Sequence, residues 1–376
     1  MKSAIVTLQD NNINMTLRKL IHAFMEKKCF QAVLAPVRIP SGESFAYELM
    51  NDKTKIEHCE PLPPIMPIPG ARALKDLTRK GEPDFKILCI MHPCEIRAAV
   101  ELAKLRQVDL NNITFMSLDC PGVFPTKDYI LEPKKFDISY DKILKTFEGE
   151  NFRVSCTTCI NFSYDRIMTD IHIANLGING DKLLVQALSV KGEECLGALE
   201  LGFDQEVSDR QEKINTVRKK REANREKLFS EINSKVKGMD NLDIYFADCI
   251  NCHNCMRVCP ICYCRQCFFD SSDMKRVETD NYVSRAHKKG GIAFPTDTLL
   301  FHLGRMSHMN LSCIGCGACE DACAMDVPVA QIFTFMGDQL QKMFEYIPGR
   351  NIEEKIPVLT YTEDELHEYE DAKEKP

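Results

Sequence analysis

The last third of the chain carries two cysteine runs of one pattern: Cys249-x2-Cys252-x2-Cys255-x3-Cys259-Pro260 and Cys313-x2-Cys316-x2-Cys319-x3-Cys323. Three thiols at x2 spacing fit one tight loop around an iron–sulfur cubane. The fourth, after x3, begins a helix and points at a neighbouring cluster. The paired runs therefore predict two [4Fe–4S] clusters that exchange their fourth ligands. Cys249, Cys252, Cys255 and Cys323 are expected on one, and Cys313, Cys316, Cys319 and Cys259 on the other. This is the pattern of a bacterial-ferredoxin-like dicluster domain, and it implies one-electron transfer. Zinc ribbons also use Cys-x2-Cys pairs, but rarely three cysteines at consecutive x2 spacing followed by Cys-Pro.

Composition narrows the setting. The 376 residues are enough for two domains with cores of their own. A net charge of −7 leaves no basic face to neutralise phosphates, which argues against a nucleic-acid partner. No apolar run reaches the roughly 18 residues of a membrane span, and Met1–Asn12 lacks the pattern of a signal peptide. The expected location is the cytoplasm. In that reducing compartment nineteen cysteines point to metal binding, not to a disulfide framework.

Along the chain, residues 1–203 read as an α/β (α+β) domain. Ile87–Met91 is a short apolar run followed by His92-Pro93-Cys94 and a helical pattern over Glu95–Leu105, that is, strand, loop and helix. Asn112–Leu118 and Lys182–Val190 are two further candidate strands. The proline-rich stretch Pro61–Pro69 cannot be regular structure and reads as a rigid surface or lining segment. Residues 204–238 are almost wholly polar, with mixed charge and no proline, and predict a long charged helix joining two domains. Its cations Arg218, Lys219, Lys220 and Arg221 have glutamates for neighbours, as on a solvent-facing helix. Residues 239–345 are the expected dicluster domain, and 346–376 an acidic tail, loosely ordered or held by a partner.

Eleven cysteines lie outside the paired runs. Cys262, Cys264 and Cys267 follow the first run directly and either pack around its cluster or bind another metal centre. Cys94 and Cys120 each stand just beyond an apolar strand, where α/β sheets place their ligand sites. Cys156 and Cys159 form a Cys-x2-Cys pair in a polar loop. Together these four can close a third [4Fe–4S] site, or they can be two core cysteines and an incidental pair; spacing alone does not decide. Cys29, Cys59, Cys89 and Cys195 read as small buried hydrophobes. His302 and His308, just before the second run, read as cluster ligands, as helix caps or as hydrogen-bond donors to cluster sulfur, the last two being the ordinary roles. Gly290-Gly291 and Gly315-x-Gly317 are turn glycines that let backbone approach a cubane. No Gly-x-Gly-x-x-Gly follows a strand, so a Rossmann-type nicotinamide site is not expected.

Three N-terminal blocks carry a resemblance. Leu88–Ala99 (LCIMHPCEIRAA) resembles the GTPC-(E/Q)-I-x-A-L block of the coenzyme F420 hydrogenase/dehydrogenase beta-subunit family. Phe115–Pro121 is similar to its next strand, and Cys156–Phe162 with Thr169–Ile171 and Gly177 to its C-x-x-C-x-D-F…A-D-I…G block. Matching residue by residue puts Cys94, Cys120, Cys156 and Cys159 on the family's shared cysteines, which implies that they hold a third cluster. The resemblance also implies FAD in residues 1–203, with contacts sought first in loops 89–97 and 156–178, and exchange of a hydride with F420 or, in bacterial relatives, NAD(P)H. Partners would be other subunits of a heterodisulfide reductase-, hydrogenase- or formate dehydrogenase-type complex. His92-Pro93 in place of Thr-Pro, Asn161 in place of Asp, and a dicluster that follows the N-terminal domain depart from the family pattern. The alternative is an electron-wire subunit with clusters but no flavin and no substrate of its own.

Overall fold

The computed structural model describes residues 2–178, 180–202, 209–271 and 296–360. Seven strands form one mixed sheet: β1 (Lys2–Thr7), β2 (Ala32–Arg38), β3 (Phe45–Met50), β4 (Ile87–Ile90), β5 (Ile113–Leu118), β6 (Ile171–Ala174) and β7 (Lys182–Ala187), in the spatial order β1-β7-β6-β5-β4-β2-β3. The middle four, β6-β5-β4-β2, run parallel, and antiparallel strands close both edges. The three strands expected from sequence are β4, β5 and β7, the first two lying side by side with Cys89 opposite Phe115.

Parallel strands are covered on both faces, so side chains alternate between two cores. Val33, Leu88, Ile90, Met116 and Leu118 face one side, under the helices Ile13–Glu26 and Pro133–Thr146. Ala32, Leu34, Ile87, Cys89, Ile113 and Phe115 face the other. There they meet the helix Pro93–Lys104 and, in the same continuous core, Cys255, Cys259, Ile261, Phe301, Ile332 and Phe333 of the cysteine-rich segment. The boundary expected at residue 239 is thus no break in packing: hydrocarbon on the sheet and hydrocarbon around the cysteine runs leave water together.

Polar contacts tie the same surfaces. Buried Arg153 donates to Asp321 at 2.6 Å, and Asp321 also accepts from the Thr126 N–H at 2.8 Å. Buried Arg97 donates to the carbonyls of Pro348 (2.9 Å) and Ile314 (3.3 Å). The expected acidic tail needs correction over its first part. Tyr346 and Ile356 are buried, and the Gly349 N–H donates to Glu101 at 2.7 Å, because this stretch covers an otherwise exposed buried carboxylate. Residues 361–376 lie outside the described residues. Pro61–Pro69 is a lining segment, buried over most of its length, whose Met66 carbonyl accepts from Arg153.

A helix runs over Arg210–Lys235; residues 204–208 lie outside the described residues. It is not simply solvated. Arg210, Ile214, Arg218, Arg221 and Ile232 turn inward while Lys219 and Lys220 face water. The guanidiniums reach backbone carbonyls and carboxylates that would otherwise be unpaired, which is how a polar helix can bury one side.

Candidate iron–sulfur centres

The first run bends around a cavity lined by Cys249, Cys252, Cys255 and, from the other run, Cys323. Asn251 and His253 take left-handed backbone angles (φ 54° and 60°) that curl the loop. The remaining lining is Ile250, Val327, Val329 and the rings of His253, Phe301 and His302. His302 is fully buried, stacks on Phe246 with centroids 4.0 Å apart, and brings Nε2 to 3.4 Å from Cys249 Sγ. Burial pushes its pKa down to about 3, so the imidazole is neutral and suited to donate an N–H to sulfur. His308 is exposed, away from this contact.

A second cavity is lined by Cys313, Cys316, Cys319 and, from the first run, Cys259. Its walls are Ile261, Met309, Ile314, Ala330 and Phe333, with Arg305 as the charged side chain. Gly315 and Gly317 have positive φ (72° and 76°), and a Cβ on Gly317 would lie 2.6 Å from Ser155 Oγ, so only glycine lets this loop close on the Cys156 loop. A hydrogen bond from Cys262 brings the Cys259 thiol down, while burial pushes Cys255 and Cys313 up to about 11 and Cys316 to about 12. Loading metal onto the high-pKa thiols therefore releases protons.

Each cavity thus gathers three thiols of one run and the last thiol of the other. Four sulfur donors in a hydrocarbon shell suit an iron–sulfur cubane. Among the described residues no three His, Cys, Asp or Glu side chains converge on a point as a single zinc ion requires.

The four remaining expected ligands come from three segments. Cys94 sits in the first turn of Pro93–Lys104, just after β4; Cys120 follows β5; Cys156 and Cys159 belong to the turn around Val154–Thr157. They are close enough that Cys94 is acted on by Cys120, Cys159 and Cys316, and Cys120 by Cys156 and Cys159. Burial pushes the Cys94, Cys120 and Cys156 thiols up. Cys94, Cys156 and Cys316 pack together around Ala318, so this site adjoins the second cavity. His92 stands with Nδ1 3.6 Å from Cys120 Sγ.

Residues that sequence reading passed over hold these loops. Asp119, fully buried beside Cys120, accepts from Ser163 (2.6 Å), Arg210 (2.8 Å) and the N–H groups of Asn175 and Leu176 (3.1 Å each). Its other neighbour is His172 Nε2 at 3.1 Å, and His172 Nδ1 lies 2.7 Å from Ser117 Oγ. This Ser-His-Asp chain is wholly buried and offers no substrate access; it fixes the end of β5. Arg221 donates to the carbonyls of Pro121 (2.7 Å), Cys159 (3.2 Å) and Cys120 (3.4 Å), and Arg225 bridges Thr158 to Asp338. Gly122 (φ 127°) lies where a Cβ would stand 3.1 Å from Cys156 Cβ. The signal for the arginines was present: arginine at 218, 221 and 225 repeats at helical spacing.

Other expected residues are dispersed. Cys262 packs on Met309 (3.5 Å), Cys267 on Met256 (3.5 Å), and Cys264 is exposed, so these three do not gather. Cys59, Cys89 and Cys195 are buried and Cys29 partly so, and all nineteen thiols are free of disulfides. Gly290-Gly291 lies outside the described residues. Beside the 89–97 loop, Tyr47, Pro63, Met66, His92 and Glu95 line a small cavity. Among the described residues no helix is long and apolar enough to cross a membrane.

No family model matches the chain. The F420-dependent formate dehydrogenase subunit beta of Methanocaldococcus jannaschii is 27% identical over 403 aligned residues, covering 96% of this chain and 99% of that protein. The F420-dependent formate dehydrogenase 1 subunit beta of Methanococcus maripaludis is 28% identical over 301, covering 71% and 73%. This chain is similar to the beta subunits of F420-dependent formate dehydrogenase. The similarity to these beta subunits agrees with the resemblance carried by the three N-terminal blocks and extends it into the cysteine-rich segment. A chain of the F420-reducing [NiFe] hydrogenase complex from Methanosarcina barkeri superposes at a TM-score of 0.48 and 13% identity, over 64% of this chain and 94% of that one.

Proposed function

We propose that this chain is the electron-transfer beta subunit of an F420-linked oxidoreductase complex of the formate dehydrogenase type, conducting electrons through three [4Fe–4S] clusters. The observation that carries the reading is the exchange of thiols: Cys323 lines the cavity of the first run and Cys259 that of the second. When bound, a [4Fe–4S] cluster takes up and gives up single electrons. The chain supplies the path. Cys94 and Cys316 adjoin, so the N-terminal site leads to the second cavity, and Cys259 and Cys255 on one short stretch lead on to the first. The hydrocarbon walls exclude water, and His302 and His92 each stand beside a ligand sulfur. That the relatives are subunits of F420-dependent formate dehydrogenase supports F420 and formate at the ends of the complex, with other subunits as partners.

A second reading adds FAD at the F420 side, as the resemblance of the three N-terminal blocks implies. The exchange of thiols bears on the clusters and not on a flavin, so flavin content separates the two readings. Anaerobic purification followed by iron, sulfide and flavin assay tests both. About twelve irons per chain and no extractable flavin are expected of the wire. Zinc in place of iron would overturn the proposal, and stoichiometric FAD would establish the second reading.

A further inference from the structure

The two cysteine cavities share a buried cation. Arg305 lies on the Thr296–Met309 helix and is 2% exposed. Its Nη1 donates to Cys255 Sγ at 3.1 Å, and its Nη2 to the Cys255 carbonyl at 3.3 Å. Nη2 also lies 3.8 Å from Cys262 Sγ and from Met309 Sδ. Cys255 lines the first cavity, whereas Arg305 itself lines the second. The guanidinium is sandwiched by rings, 4.8 Å from the Phe333 centroid and 5.5 Å from that of Phe301.

Among the described residues no Asp or Glu forms an ion pair with it. A guanidinium taken from water without an opposite charge is strongly disfavoured. An arginine keeps its proton in proteins, so its surroundings must meet this charge. The ligand sulfurs that face this charge are Cys255 Sγ in the first cavity and the thiols that line the second with it, Cys259, Cys313, Cys316 and Cys319.

We propose that Arg305 is the shared counter-cation of the two clusters of the paired runs and holds both reduction potentials up. The inference rests on the cluster reading above. Reduction adds one electron and one negative charge to a cluster. A fixed positive charge close by in a water-excluded setting favours that state more than the oxidised one. Arg305 touches the ligands and not the electron's source or destination, so it is a positioning residue that acts through charge.

Anaerobic redox titration with a one-electron chemical reductant, followed by EPR, tests this in the full chain. In Arg305→Gln both cluster midpoints are expected to fall, by tenfold or more in the reduction equilibrium (about 59 mV for one electron), with iron content unchanged. Arg305→Lys keeps the charge but not the fork, and its midpoints are expected within threefold of the parent. Unchanged midpoints in Arg305→Gln, or equal shifts in the two variants, would overturn the proposal. If Arg305→Gln loses iron, Arg305→Lys decides alone: a tenfold shift there contradicts the charge role, and parental midpoints support it. An iron-free parent chain would defeat the cluster reading itself, before any titration.

Discussion

At the paired runs, six of the eight thiols come from two short loops, each written in a few consecutive residues; at the N-terminal site, four thiols come from three segments that only the sheet brings together. Backbone spacing alone curls the first kind of site, helped by left-handed residues such as His253 and Gly315. The second kind depends on the ends of β4 and β5 and on a clamp of side chains from a distant helix. A local site tolerates damage elsewhere, whereas an assembled one fails with its supports.

The largest effect that separates the two is loss of a ligand. Cys156→Ser is expected to remove about four of about twelve irons while the EPR signals of the dicluster persist; unchanged iron would dissolve the N-terminal site. Next comes the tie between the regions. Asp321→Ala leaves the buried Arg153 without its carboxylate and is expected to cost about 3–5 kcal/mol. Because one core spans both regions, urea transitions followed by circular dichroism and by cluster absorbance should coincide. Two separate transitions would show that the regions unfold independently.

Arg221→Met removes the charged donor to three carbonyls of the cysteine loops and is expected to cost about 3 kcal/mol. Iron should then be lost first from the N-terminal site. Equal loss from all sites would mean that the clamp is global. Gly122→Ala is a milder form of the same test, at about 2 kcal/mol, because alanine at φ 127° is strained and meets Cys156. Stability indistinguishable from the parent would show that the loop yields.

Much of this contrast was legible in the sequence. Ligand spacing announced which thiols line each of the two cavities, and the runs before His92 and Asp119 announced the two central strands, since buried parallel strands read as continuous apolar stretches. The N-terminal site needed the resemblance, because spacing carries no information on which strand ends become neighbours. Asp119 carried no motif of its own and is the hub of a buried network. The helix over Arg210–Lys235 read as solvated because its composition is polar; net polarity does not tell a guanidinium that caps carbonyls from one that faces water. The stretch after residue 346 read as a tail because a few buried side chains, Tyr346 and Ile356, are diluted among charges.

The exchange of thiols between the runs is the central claim, and iron counting in double variants tests it most directly. If Cys249 and Cys323 hold the same cluster, Cys249→Ser with Cys323→Ser loses no more iron than either alone, retaining about eight of about twelve, whereas Cys313→Ser with Cys323→Ser falls to about four. The reverse result, additive loss for Cys249 with Cys323 and none beyond the single variants for Cys313 with Cys323, would place each fourth thiol with its own run and contradict the account.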